Sequence, residues 1–202
     1  MKHARRAAAA AAAAIALLCP VLACAQADMA PPGAVAIHPV IGGGLTAGGD
    51  KLLAVRYTDG DTRTLRAGQL LQVWAGLDVR PVDSPVSFLA TVGYHSDSAG
   101  GWNGSVRFER FPIEASVLWS PAPAFRIGVG ARYAAGAAVR STGVVDDIPN
   151  PHFKSRLGGL VLAEWLVTPH QGVQLRYVHE TYRLSGQSID GSHGGLGYSF
   201  YF

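Results

Sequence analysis

Apolar and polar side chains alternate with a period of two along most of this chain, the pattern of strands that turn one face to an apolar medium and the other to a polar one. In 124–134, Phe125, Ile127, Val129, Ala131 and Tyr133 alternate with Arg126, Gly128, Gly130 and Arg132. In 69–80, Leu71, Val73, Ala75, Leu77 and Val79 oppose Gln72, Trp74, Gly76, Asp78 and Arg80. Segments 86–95, 110–119 and 172–183 read the same way, and 154–167 does so with Arg156 and Glu164 on the polar face. With 35–46 and 193–202 the count is eight, the even number that a closed single-chain barrel requires. The expected fold is all-β, an eight-stranded antiparallel up-and-down barrel.

The connections alternate as well. Three are brief and carry proline (81–85, 120–123, 168–172), whereas 47–67, 96–104, 135–153 and 185–191 are longer and mostly rich in Gly, Ser and Asp. Within the first of these, 53–57 and 62–65 flank Asp59-Gly60, which predicts a small hairpin. Pro112 falls inside a strand of a barrel without free edges, so a bulge is expected beside it.

Alternation alone does not say which face meets the apolar medium, and a soluble lipocalin-like calyx would share it. Two features favour lipid outside and a crowded polar lumen inside. Large charged residues share the polar faces with many glycines, as in a narrow barrel where bulky and tiny side chains interleave. Aromatics gather near strand ends, with Trp119, Phe125 and Trp165 toward the short turns and Tyr94, Phe111 and Tyr133 toward the long loops, as two interfacial girdles. A tight turn near His170 would bring Glu164 opposite Arg176 as a lumen charge pair, and Arg126 and Arg132 within reach of Glu114. Trp74 would then fill the lumen.

The first residues carry a different pattern. Lys2, Arg5 and Arg6 precede the apolar run 7–18, and Ala25-Gln26-Ala27 supplies a small-residue cleavage site, together the form of a secretory signal peptide. The expected organisation is a leader over 1–27, a periplasmic lead-in over 28–34 and the barrel over 35–202. A competing reading places lipid on Cys24. Removing the leader takes three of the 17 Lys+Arg and leaves 14 against 14 Asp+Glu, so the basic character of the precursor gives no support to nucleic-acid binding. Both cysteines, Cys19 and Cys24, leave with it.

At the other end Leu196, Tyr198, Phe200 and Phe202 share one face, and the chain ends on Phe. Gly197, Phe200 and Phe202 resemble the terminal-strand signature of bacterial outer-membrane β-barrels, with Gly195 at a position that is usually polar. The resemblance covers about eight residues. It implies an outer-membrane location with both termini in the periplasm, lipid as surroundings, and the barrel-assembly machinery as a partner that reads the last strand.

Candidate chemistry is sparse. His95-Ser96-Asp97, His179-Glu180 and Ser192-His193 lie near the long-loop end, where Glu180 and His193 on neighbouring strands would meet, but no lipase-type or protease motif is present. No His or acidic spacing matches a metal site, Asp146-Asp147 stands alone, and Gly42-Gly43-Gly44 lacks the lysine of a phosphate loop. No cofactor is expected. An eight-stranded barrel is filled by its own side chains, which argues against a general porin. The leading expectation is a monomeric barrel with a structural or surface-interaction role. A lipid-modifying rim enzyme, a narrow channel and the soluble calyx are the alternatives.

Overall fold

The computed structural model describes residues 34–56, 62–101, 104–143 and 151–202. The leader, Cys24, the Asp59-Gly60 turn and Asp146-Asp147 lie outside the described residues.

Thirteen strands follow one another: β1 Val35–Gly48, β2 Lys51–Arg56, β3 Thr62–Arg66, β4 Leu70–Pro81, β5 Val86–Gly101, β6 Gly104–Ala122, β7 Phe125–Gly143, β8 Lys154–Ser155, β9 Gly158–Thr168, β10 Gln171–His179, β11 Thr181–Leu184, β12 Gln187–Asp190 and β13 His193–Tyr201. Eight of them close into one antiparallel barrel in the order β1-β13-β10-β9-β7-β6-β5-β4. The last strand pairs with the first, from Val40↔Tyr201 to Gly48↔His193, and the amide of Phe202 extends the ladder by donating to Pro39 O at 2.9 Å. The other five strands form small sheets at the long-loop end, β2-β3 and β12-β11-β8. The predicted hairpin is therefore present as β2 and β3.

The faces follow the alternation. Ile127, Val129, Tyr133, Phe88, Val92, Ile113, Val117, Leu175 and Leu196 are exposed on the outside, while Asp78, Glu114, Arg126, Arg132, Glu164 and Arg176 are buried inside. Trp119, Phe125, Trp165, Phe111 and Tyr133 are exposed on the outside, and Tyr94 packs against Phe111 with ring centroids 5.5 Å apart. Eight residues separate Phe111 from Trp119 along β6. At about 3.3 Å per residue and the usual strand tilt, that is roughly 20 Å of height, close to the apolar band of a transmembrane barrel.

Two expectations need correcting. First, most of 96–104 and the first part of 135–153 are strand, because β5 and β6 run to a connection at 102–103 and β7 continues to Gly143. Their pattern was obscured because it inverts. Above Arg110 the inward residues of β6 are apolar (Val106, Phe108) and the outward ones polar or charged (Ser105, Arg107, Glu109), as in a soluble protein. That is the pattern of a strand outside the hydrocarbon, facing a polar medium. Second, Arg156 lies exposed before β9 instead of on its inner face. The bulge expected beside Pro112 is present: the β6–β7 register shifts between Glu109 and Phe111, where Gly136 takes a positive φ of 63°. On its other side Pro112 faces Gly93, and the β5–β6 ladder is interrupted between Val92↔Ile113 and His95↔Arg110.

Candidate functional site

The lumen holds two tiers of charge. In the lower tier, toward the short turns, the Arg126 guanidinium donates to Asp78 Oδ2 at 2.6 Å and, through Nε and Nη2, to Glu164 Oε2. Gln174 and the Tyr201 hydroxyl donate to the other Glu164 oxygen at 3.0 and 2.8 Å, and the Arg126 guanidinium carbon lies 4.7 Å from the Tyr201 ring centroid. In the upper tier Arg132 donates to Glu114 at 2.5 Å and to Glu180 at 2.9 Å, while Arg176 donates to the second Glu114 oxygen at 2.6 Å. Arg110 lies 3.3 Å from Glu180. Four arginines thus meet four carboxylates across the two tiers. Burial of an unpaired charge would be prohibitive, so the pairing is what allows these residues inside.

Glu164 and Arg176 do not pair. The β9–β10 register places Glu164 opposite Gln174 and Arg176 opposite Leu162, two positions from the expected alignment, with an irregularity at Gln171/Gly172 beside the turn. A shift of two keeps every side chain on its face but changes its partner. Glu164 therefore meets Arg126 across the β7–β9 ladder, and Arg176 crosses the lumen to Glu114. Of the arginines expected near Glu114, Arg132 is there and Arg126 is not.

Trp74 fills the lumen as expected, 5.4 Å from the Arg176 guanidinium carbon. Its indole explains two glycines. A Cβ on Gly42 would lie 2.4 Å from Trp74 Cε2, and one on Gly197 would lie 2.6 Å from Cη2. Gly44 answers to backbone approach instead, since its Cβ would meet Leu196 O at 2.5 Å. Gly197 of the terminal signature thus also has a packing role. Phe200 and Phe202 stack on each other with centroids 4.9 Å apart at the short-turn end, and Tyr201 points inward.

Over the upper tier lies a roof that the sequence did not reveal. Leu65 and Ala67 from β3 and its following turn, Val106 and Phe108 from β6, Ala137 and Val139 from β7, Phe153, and Tyr182 from β11 form one buried apolar cluster. Phe108, Phe153 and Tyr182 meet edge to face, with centroids 5.3 to 6.4 Å apart. The small sheets therefore fold inward over the barrel mouth. Lower down, Leu89, Leu118, Leu160, Leu162, Val178 and Tyr201 make a second apolar cluster inside the barrel.

Beneath the roof sit most of the candidate catalytic groups. His95, Glu180 and His193 are buried, with His193 Nδ1 3.6 Å from Glu180 and the two imidazoles 4.9 Å apart. The hydrogen bonds fix the role of His95. Its Nδ1 faces Arg110 at 2.8 Å and Arg132 at 3.2 Å, both of which only donate, so Nδ1 accepts and the Nε2–H donates to Thr46 Oγ1 at 2.8 Å. A base so occupied and sealed reaches no substrate. Asp97 accepts from the Arg66 amide at 2.7 Å and is likewise structural.

The exposed pair is His179 and Ser192, 2.9 Å apart at the rim. The Ser192 amide donates to Asp190 Oδ1 at 2.9 Å, and hydrogen bonding by Ser192 holds that carboxyl below the usual Asp range. The three residues link the end of β10 to β12 and the turn that follows it. The sign for stability follows from the depressed value. The contribution is complete above the ordinary Asp range and fades as pH falls through the folded-state value. Exchange of the Ser192 amide, corrected for its intrinsic pH dependence, is expected to accelerate over that fall; unchanged protection would contradict the assignment. No group of three or more His, Cys, Asp or Glu suited to a metal ion occurs among the described residues.

An apolar exterior, aromatic rings near both strand ends and an interior of paired arginines and carboxylates define a transmembrane β-barrel of the outer-membrane type. No family model matches the sequence, and no curated protein matches it. Among solved structures it is similar to the attachment invasion locus protein Ail of Yersinia pestis, at 9% identity over 82% of this chain and 97% of that one, with a TM-score of 0.49. It is similar also to neisserial surface protein A, at 12% identity over 84% and 99% of the two chains, with a TM-score of 0.47.

Proposed function

We propose that the protein is a monomeric outer-membrane barrel with a structural or surface-presenting role, which does not conduct solutes. The observation that carries this reading is the double closure of the lumen, by paired arginines and carboxylates within and by the Phe108, Phe153 and Tyr182 roof above. A conduit needs a continuous watery path, and a lumen filled with salt-bridged side chains under packed aromatics offers none. What the exterior can contact is then the useful surface: lipid along the belt, and the small sheets at the long-loop end, which this reading places outside the cell. The barrel-assembly machinery would recognise the terminal strand through Phe200 and Phe202, with both barrel ends of the chain in the periplasm. Purified, refolded protein in a planar bilayer should be silent. Stable, reproducible unitary conductance would overturn the closed-barrel reading.

A further inference from the structure

The outer face just beyond the upper aromatic ring carries an arrangement that disfavours the isolated protein. Arg107 on β6 stands directly opposite Arg140 on β7, and Lys154 on β8 stands directly opposite Arg183 on β11. All four are exposed. Their neighbours Val106, Phe108, Phe153 and Tyr182 point into the roof, so the alternation turns the cations outward. Like charges directly opposite on neighbouring strands are destabilising, and here the arrangement occurs twice on one flank. Among the described outward-facing residues of these four strands, Glu109 is the one carboxylate. It accepts from Arg140 and, at 3.3 Å, from the Tyr94 hydroxyl, which leaves Arg107, Lys154 and Arg183 without an ion pair among the described residues.

We propose that this flank docks the phosphate-bearing headgroups of anionic lipids. Height argues for lipid over a soluble anion. Arg107 lies four residues beyond Phe111 on β6. That is about 13 Å along the strand and roughly 10 Å above the aromatic ring once tilt is included. The headgroup layer begins at that ring, and long arginine and lysine side chains reach down into it while their stems cover apolar surface. Leu157, exposed three residues after Lys154, adds an apolar foot on the same flank. Phosphates seated between Arg107 and Arg140, and between Lys154 and Arg183, turn two repulsions into bridged contacts. The outer-membrane reading above supplies only the leaflet, the outer one; the lipid chemistry stands on the cations themselves.

The test compares the wild type with an Arg107→Gln/Lys154→Gln/Arg183→Gln variant, each refolded into phosphatidylcholine vesicles and into vesicles with part of that lipid replaced by phosphatidic acid. In neutral vesicles the variant should unfold at the same or a higher urea concentration than wild type, because a repulsion has been removed. Phosphatidic acid should raise the wild-type midpoint in a salt-sensitive way and the variant's much less, with lipid retention weakened about fivefold per cation lost. Equal gains for both proteins, or none for the wild type, would overturn the proposal. So would an equal gain from inorganic phosphate or from a sulfated polysaccharide added to neutral vesicles, which would assign the flank to a soluble anion or a glycan. A wild-type chain that never enters neutral vesicles would contradict the barrel reading itself, a result distinct from the others.

Discussion

Replacing Arg126 with Met should lower the unfolding free energy of the membrane-inserted barrel by about 3–5 kcal/mol, the usual cost of leaving a buried charge without its partner. The expectation rests on where the guanidinium sits. Arg126 and its two partners, Asp78 and Glu164, have side chains at most 2% exposed, and one arginine serves both carboxylates. Arg80 approaches Asp78 only at 3.7 Å from the rim and cannot take over Glu164. The penalty therefore belongs to the stranded carboxylates more than to a lost attraction. Adding Glu164→Gln to the Arg126→Met protein should recover part of the loss, since one stranded charge then becomes a neutral amide beside Gln174 and Tyr201. Urea titration in vesicles with a double-mutant cycle measures both. Independent, additive effects would refute the lower tier as drawn.

Trp74→Ala is the second large effect, about 3–5 kcal/mol, because it removes the side chain that fills the lumen between β1 and β13 and leaves a cavity there. Its companion is the more specific test. Gly42→Ala alone should cost about 1–3 kcal/mol, as its methyl group has to displace the indole. In the Trp74→Ala background the same change should be nearly neutral, since the clash is with that one side chain. Gly44→Ala, which meets backbone, should stay costly in both backgrounds. A Gly42→Ala penalty that ignores Trp74 would mean that strand geometry, not the indole, selects glycine there.

Much of the fold was legible because the bilayer imposes a strict code. Within the membrane band every strand must show apolar residues outward and can carry charge only inward, so Phe125, Ile127 and Val129 against Arg126 and Arg132 could be assigned from the sequence. The upper third was not legible for the same reason. Beyond Arg110 the surroundings change from hydrocarbon to a polar medium and the code inverts, so Val106 and Phe108 fell outside the expected strand 110–119 although they are the underside of a roof. Partner choice was also hidden. Alternation fixes a face but not a register, and the irregularity beside the β9–β10 turn moved Arg176 from Glu164 to Glu114. The candidate catalytic groups were read at the correct end, and Glu180 does meet His193, but their sealing depends on segments with weak periodicity: Phe153, Tyr182 and the β2–β3 hairpin.

Lipid outside and a dry, filled lumen within are most directly distinguished by fluorescence quenching from brominated phosphatidylcholine. A variant keeping Trp119 and Trp165, with Trp74 and Trp102 changed to Phe, should be strongly quenched in these vesicles. One keeping Trp74 alone should be quenched little, because the barrel wall separates its indole from the bromine atoms. Strong quenching of Trp74 together with weak quenching of Trp119 and Trp165 would contradict the account.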